Sequence, residues 1–246
     1  MSSRSYLRYF AFTRMSFLEL LAYRMRYYTG VVTYLLHVSV YYFIWKAIFE
    51  DRGDLVGGYR LEEIVTYVAI GWITRAFYFN NIDWDVANDI IEGRIAAELV
   101  RPVDYQIVQY ASALGEALFR FLLFALPISF VVCALYPVMP PSSVGSGIAF
   151  VVSIGLSLLI FSGLNFLLGV AALHLKSIIG LIRAKQFLIQ FLSGLLIPLA
   201  LFPVFAQKII VVLPMAGIAH VPLQIYLGRF DATQIALGLL YQVLWA

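Results

Sequence analysis

Long apolar segments separated by short polar links decide most of what this chain can become. They lie at about residues 28–49, 61–80, 107–135, 145–173 and 184–205, with another from Ala232 to Ala246. A helix needs roughly 20 apolar residues to cross the hydrocarbon of a bilayer. Helices also satisfy their own backbone hydrogen bonds where no water can do so. Composition points the same way. The chain is 62% hydrophobic and 13% charged, against roughly half and about a quarter in soluble domains, so there are too few charges to cover a soluble surface. The expected fold class is an all-α integral membrane protein with six transmembrane helices in one domain, 1–246. The last segment is short for a span, so the chain is expected to continue past Ala246.

Three stretches do not fit a simple span. Residues 4–26 interleave aromatic and aliphatic side chains with Arg4, Arg8, Arg14, Arg24 and Arg26. That pattern suits an amphipathic helix at the membrane interface, its arginines toward anionic headgroups; the alternative is a helix packed on the protein's own loops. It does not suit a cleavable signal peptide. Residues 207–228 are apolar but interrupted by Pro214, Gly217 and Pro222. They read as a re-entrant or interfacial helical hairpin, tolerated at membrane depth only under a cover of protein.

The third stretch, Asn80 to Tyr105, is the longest charged run. It holds six of the fourteen acidic residues, together with Arg94 and Arg101. An aspartate before it can cap a helix and Pro102 cannot continue one, which predicts a helix from about Val86 to about Val100. Ile91, Ile95 and Leu99 repeat every fourth residue and give it a narrow apolar stripe. Such a helix lies on a surface, offered to something outside the bilayer.

Orientation follows from lysine and arginine counts in the links. One side carries the N-terminal arginines, Arg94, Arg101, Lys176, Arg183 and Lys185; the other carries Arg52, Arg60, Lys208 and Arg229. The richer side is expected to be cytoplasmic, which places the N-terminus and the 86–100 helix there. Polar residues within spans are functional candidates by default. His37 is expected to be neutral and hydrogen-bonded to a neighbouring helix. Glu116 and Arg120, four apart, suit an ion pair within one helix. Arg75 and Lys46 can snorkel to span ends, and Asn165 can hold helices together.

Several chemistries are excluded. There is no Gly-rich loop ending in Lys-Ser/Thr, hence no ATP site. His37, His174 and His220 lack metal-ligand spacing, and no nucleophile–base set converges. The lone Cys133 supports neither a disulfide framework nor a cysteine metal site. A net charge of +3, scattered between spans, offers no face for nucleic acid. The chain is therefore not expected to be an enzyme, and no internal repeat suggests a secondary transporter. Energy for any uphill transport would enter from elsewhere, through the polar helix.

The run EGRIAAELVRPVDYQ carries a G-x-x-x-x-x-L-x-R-P pattern after the second span. LSGLLIPLALFP at 192–203, LP at 213–214 and IYLG at 225–228 follow in order. Together these resemble the ABC type-2 exporter permease family, in its compact six-span bacterial branch, over nearly the whole chain. The resemblance implies a multi-pass permease of the bacterial inner membrane. It also implies a cytoplasmic coupling helix and an extracellular re-entrant hairpin. Two permeases, identical or paralogous, would each dock on a cytoplasmic ABC ATPase that holds ATP and Mg, with no cofactor on this chain and lipids around it. It places Asp89, Glu92, Gly93, Arg94, Glu98 and Arg101 in the coupling region. Gly194, Pro198, Pro203, Pro214 and Pro222 become backbone features of the fifth span and hairpin. The 16 tyrosines and 19 phenylalanines favour a hydrophobic or amphipathic cargo (lipid-like, drug or peptide), unless most of them face lipid. The apolar stripe of the coupling helix could face either the ATPase groove or the permease's own helix ends; the second is favoured, since the charges then face the ATPase. A non-transporting scaffold that anchors an ATPase complex is the alternative.

Overall fold

Side chains that can close a helix end, and prolines and glycines that cannot extend one, partition the apolar segments. The structure is a computed structural model and describes residues 3–22, 25–53, 55–175 and 177–246. Arg24 and Lys176, used above in the charge count, lie outside the described residues, as do the side chains of Arg4, Arg26 and Arg52. In chain order the helices are α1 (Ser3–Ala22), α2 (Met25–Arg52), α3 (Leu61–Tyr78), α4 (Ile82–Ile91), α5 (Ile95–Val100) and α6 (Tyr105–Arg120). A π-helical turn, Phe121–Ala125, joins α6 to α7 (Leu126–Leu135) without a break. Then come α8 (Val144–Val170), a 3-10 turn at Ala171–Leu173, α9 (Ile179–Leu192), a 3-10 turn at Leu199–Leu201, α10 (Val204–Ile210), α11 (Pro214–Ile218), α12 (His220–Tyr226) and α13 (Ala232–Trp245). Among the described residues 79% are helical and none forms a strand, so the fold is all-α.

Caps explain several boundaries. Asp104 accepts from the Ile107 amide at 3.1 Å and opens α6. Ser143 accepts from Ser146 at 3.0 Å and opens α8. Asp231 and Gln234 form a reciprocal capping box at the start of α13. Each such cap contributes about 1 kcal/mol.

Among the described residues three helical stretches are long and apolar enough to cross a membrane: Val32–Asp51, Tyr105–Leu135 and Val144–Leu173. A fourth exists if α10 and the α11–α12 pair, bent by 77°, count as one broken span. This is fewer than the six expected, for identifiable reasons. The 61–80 segment forms an 18-residue helix, long enough in itself (about 1.5 Å per residue), but Glu62, Glu63 and Arg75 charge its ends. The 184–205 segment is not one helix. It stops at Leu192, because Gly194 takes a left-handed conformation (φ +81) and Pro198 and Pro203 cannot continue the hydrogen-bond ladder. A Cβ at Gly194 would also sit 2.9 Å from the Tyr67 hydroxyl, which donates to the Gly194 carbonyl. At 232–246 the helix has 14 residues.

Helix α8 is the axis of the packing. It touches α3, α4, α6, α11, α12 and α13. Ser153 and Ser157 on α8, the Gly217 carbonyl of α11 and the Gln242 amide of α13 share buried hydrogen bonds of 2.7–3.3 Å. Every residue of α12 from Val221 to Tyr226 is buried, so the broken hairpin is covered by protein, as backbone away from water requires. Tyr59 caps the end remote from α4. Gln224 donates to its hydroxyl at 2.7 Å, and Arg229, paired with Glu63 at 3.0 Å, lies 3.6 Å from its ring centre.

Helix α1 runs alongside α6 in the same direction. Arg8 reaches the Pro102 carbonyl, the Asp104 amide donates to the Tyr9 hydroxyl, Thr13 bonds the Ala111 carbonyl at 2.9 Å, and Phe17 meets Phe119 edge-on. The approach is close because position 115 is glycine: a Cβ there would lie 2.1 Å from the Thr13 carbonyl oxygen. Leu7, Phe10, Met15 and Leu18 stay exposed on the outer side. Overpacking a tight contact costs typically about 1–3 kcal/mol. Gly115→Val should therefore lower the melting temperature in detergent and free α1 to proteolysis, whereas Gly155→Val, with open space around it, should change neither.

Candidate functional site

The polar run from Asn80 to Tyr105 folds as two helices, not the single 86–100 helix expected. Glu92 ends α4, Gly93 follows with φ +75, and α5 starts at Ile95. Left-handed backbone is cheap for glycine and strained for other residues, so the sequence itself marks the break. Helix α4 begins four residues earlier than predicted and is anchored, burying Ile82, Asp83, Val86 and Ala87. It lies along the last turns of α8, where a Cβ on Gly169 would meet Val86 at 2.7 Å. Ala87 packs with Ala172, Ile178 and Ile182. Helix α5 has no buried residue.

The charges of the predicted coupling region pair with one another. Arg94 binds Asp89 at 3.0 Å and also Glu92. Glu98 and Arg101 pair at 2.7 Å. Asp89 further accepts from the Tyr105 hydroxyl at 2.7 Å, which ties α4 to the start of α6. The apolar stripe is the exposed part: Leu99 is 67% and Val100 85% accessible, and Ile91 is open as well. Of the stripe Ile91, Ile95 and Leu99, only Ile95 is half-buried against the chain, while Ile91 and Leu99 are exposed. The charges satisfy each other locally, and Ile91, Leu99 and Val100 face outward.

Beneath α4 lies a polar cluster at the junction with α3. Asp83, 1% exposed, accepts from Lys185 of α9 at 2.5 Å. Lys185 also donates to Asn165 of α8. The Asn165 amide donates to the Asn80 carbonyl at 3.0 Å and the Asn80 side chain at 2.8 Å, and Asn80 donates to Ser162 at 2.9 Å. The segment before α4 is thus bonded to α8 through Asn80, and the first turn of α4 to α9 through Asp83. Asn165 performs the inter-helix role expected of it. Lys185, counted above as a link charge, and Asp83, counted as one acid of a polar run, are buried partners. Only the odd placement of a lysine within an apolar segment signalled this.

Other predicted residues fall elsewhere. Glu116 and Arg120 form the expected ion pair at 2.5 Å, and Arg120 also reaches the Phe79 carbonyl at the end of α3. Beside them Asp85 keeps solvent access on one side, yet desolvation, with the charges of Glu116, Asp89 and Asp83 adding, pushes its carboxyl up to about 6. His37 departs from expectation. Its Nδ1 bonds the Thr33 carbonyl of its own helix at 2.8 Å, its ring rests 4.6 Å from Trp72, and it is exposed rather than bonded to a neighbour. Gly194, Pro198 and Pro203 lie between α9 and α10, Pro214 opens α11 and Pro222 sits in the first turn of α12. Among the described residues no group of three His, Cys, Asp or Glu side chains could hold a metal. The assembly positions helices; it does not gather reacting groups.

A family described as ABC-2 family transporter protein matches residues 35–246, and the chain belongs to that family. Membership makes it a transporter membrane component without an ATPase of its own, which implies an ABC ATPase as partner. No curated protein and no solved structure matches the sequence.

Removing one partner of a buried ion pair leaves an uncompensated charge and costs about 3–5 kcal/mol, whereas replacing both is often neutral. Lys185→Met should therefore lower the melting temperature markedly, and adding Asp83→Leu should recover most of the loss; a double-mutant cycle by thermal unfolding in detergent measures the coupling.

Proposed function

We propose that this ABC-2 family chain is the permease subunit of an ATP-driven exporter in a bacterial inner membrane. Its α4–α5 unit is the cytoplasmic coupling element that docks on a separate ATPase, and two permeases, identical or paralogous, flank the path. The N-terminus and α1 lie on the same side, α1 at the interface with Leu7, Phe10, Met15 and Leu18 toward lipid. Six crossings follow if α3, the α9–α10 region and α13 pass through with help from neighbours that cover their charges and breaks.

One observation carries this proposal. An anchored helix, α4, ends in an unburied apolar helix, α5, whose charges are already paired. Exposed apolar side chains such as Ile91, Leu99 and Val100, set among charges already paired, suit a contact surface, because burying them against a partner removes apolar area from water. Glu92, Arg94 and Arg101 then set register and partner choice. When the ATPases close on ATP, bound and carrying Mg, α5 moves and α4 follows. The buried Asp83–Lys185–Asn165 cluster passes that motion to α8 and α9, and α8 in turn holds α11 and α13. Nucleotide shifts this equilibrium by its differential affinity for the two states. Hydrolysis resets it.

A membrane scaffold that anchors an ATPase without transport would share the α5 surface. The polar bonds from α4 through α8 to the hairpin favour transport, because a mere anchor needs no connection across the bundle. Leu99→Asp with Val100→Asp should weaken co-purification with the cognate ATPase by roughly tenfold or more and abolish ATP-dependent cargo movement in proteoliposomes. Charge reversal at Glu92 and Arg94 together should have the smaller effect on association: the 92–94 pair survives the swap, and only the local Arg94–Asp89 bond is lost. If the apolar pair can be replaced without loss of association, α5 is not the docking surface.

A further inference from the structure

A cavity at the level of the α3–α4 junction is lined by a cation that has no carboxylate partner among the described residues. It encloses about 370 Å³ and is lined by Gly30 and Tyr34 of α2, Arg75 and Phe79 of α3 and its end, Asn81, and Arg120 of α6. That volume lies within the roughly 300–1,000 Å³ of small-molecule sites. The two arginines are not equivalent. Arg120 is held by Glu116 and the Phe79 carbonyl. Arg75 has no carboxylate partner among the described residues; its guanidinium stacks 4.5 Å from the Phe79 ring centre and 5.4 Å from that of Trp72. Arg120 lies 5.7 Å from the same Phe79 ring, so two guanidinium groups share one aromatic platform, and of the two only Arg120 is salt-bridged to a carboxylate among the described residues.

Contacts to an aromatic face stabilise a cation by roughly 0.5–2 kcal/mol. That is small beside the cost of a charge held next to hydrocarbon. Asn81 lines the same cavity; it is the N-cap of α4, its Oδ1 accepts no capping bond, and among the described residues its Nδ2 donor has no partner. The opposite wall is apolar, formed by Tyr34, Gly30 and Phe124.

We propose that this cavity binds the phosphate-type anionic head of an amphiphile. The Arg75 fork takes the head, Asn81 donates a further hydrogen bond, and the chain leaves along Tyr34 and Phe124 toward lipid. Guanidinium suits phosphate because its planar fork matches two oxygens at once. If the transporter assignment above holds, anionic amphiphiles are the cargo class that enters here, from the leaflet on the α4 side. Binding itself needs no ATPase, so the assay below succeeds or fails independently of that assignment.

The full chain, purified in an uncharged maltoside, is titrated with dodecyl phosphate, dodecylphosphocholine and inorganic phosphate. Binding is read as a rise in melting temperature and a change in tryptophan emission. Dodecyl phosphate should bind at the lowest concentration. Arg75→Gln should weaken it about tenfold, the loss of one charge-assisted contact worth about 1.4 kcal/mol. Gly30→Leu should block it by filling the cavity with all charges kept; a Cβ there meets only Phe124, at 3.9 Å, so the backbone accepts a side chain at this position. Unliganded melting temperatures equal to wild type show that both variants fold, and if either does not, the ranking of the three probes on the wild-type chain decides. Unaltered binding by Arg75→Gln, equal binding of the zwitterionic probe, or inorganic phosphate binding as tightly as its dodecyl ester would each overturn the proposal, the last by making this a soluble-anion site.

Discussion

The buried contact between Asp83 and Lys185, extended through Asn165 to Asn80, is the constraint on which the α4 end of this protein depends. Neither charge is tolerable alone in an interior, so the pair can exist only if α4 lies on α8 and α9 lies beside both. Geometry then propagates in each direction. Toward the surface it fixes α4, whose end at Gly93 launches α5 into solvent. Toward the middle it fixes α8, whose other polar side chains, Ser153 and Ser157, hold the Gly217 carbonyl and Gln242. A polar network in such a setting is strong only when complete, and among the buried atoms of this cluster every donor named above has its acceptor.

Interruptions to helices are where this structure is informative. Gly93 and Gly194 follow helix ends that hydrophobic pattern alone would continue, and Pro203 and Pro214 each open a new helix. At Gly93 the result is an anchored helix joined to a free one. At Gly194 and Pro203 it is a chain that turns back into the bundle as α11 and α12, fully covered by α3, α8 and α13. The same backbone physics that limits irregular chain in a membrane explains why this hairpin is among the most buried parts of the protein, although composition would have put it at the edge.

Much of this was legible in the sequence. The helix order, the unbroken 105–135 and 144–173 stretches, the Glu116–Arg120 pair and the broken hairpin follow from apolar length, four-residue spacing and proline position. What escaped detection has a common cause: it depends on which residues from distant segments meet. Lys185 and Asp83 are 102 positions apart and look like ordinary link charges until the fold joins them. The outward turn of Leu99 and Val100 was missed because a four-residue stripe assumes one continuous helix, and a single left-handed glycine rotates everything after it. The close run of α1 along α6 rests on the missing side chain at Gly115, which no periodicity reveals.

The central claim is that α4 and α8 move as one body, so that work done on α5 reaches the bundle. Spin labels on exposed Trp84→Cys of α4 and Leu167→Cys of α8, with Cys133 replaced, would measure this by pulsed dipolar spectroscopy in the complex with its ATPase. A second pair, Trp84→Cys and Val40→Cys of α2, reports on motion against the rest of the bundle. The account predicts one narrow 84–167 distance, unchanged between nucleotide-free and ATP-trapped states, and an 84–40 distance that shifts. An 84–167 distance that changes or splits on ATP binding would contradict it.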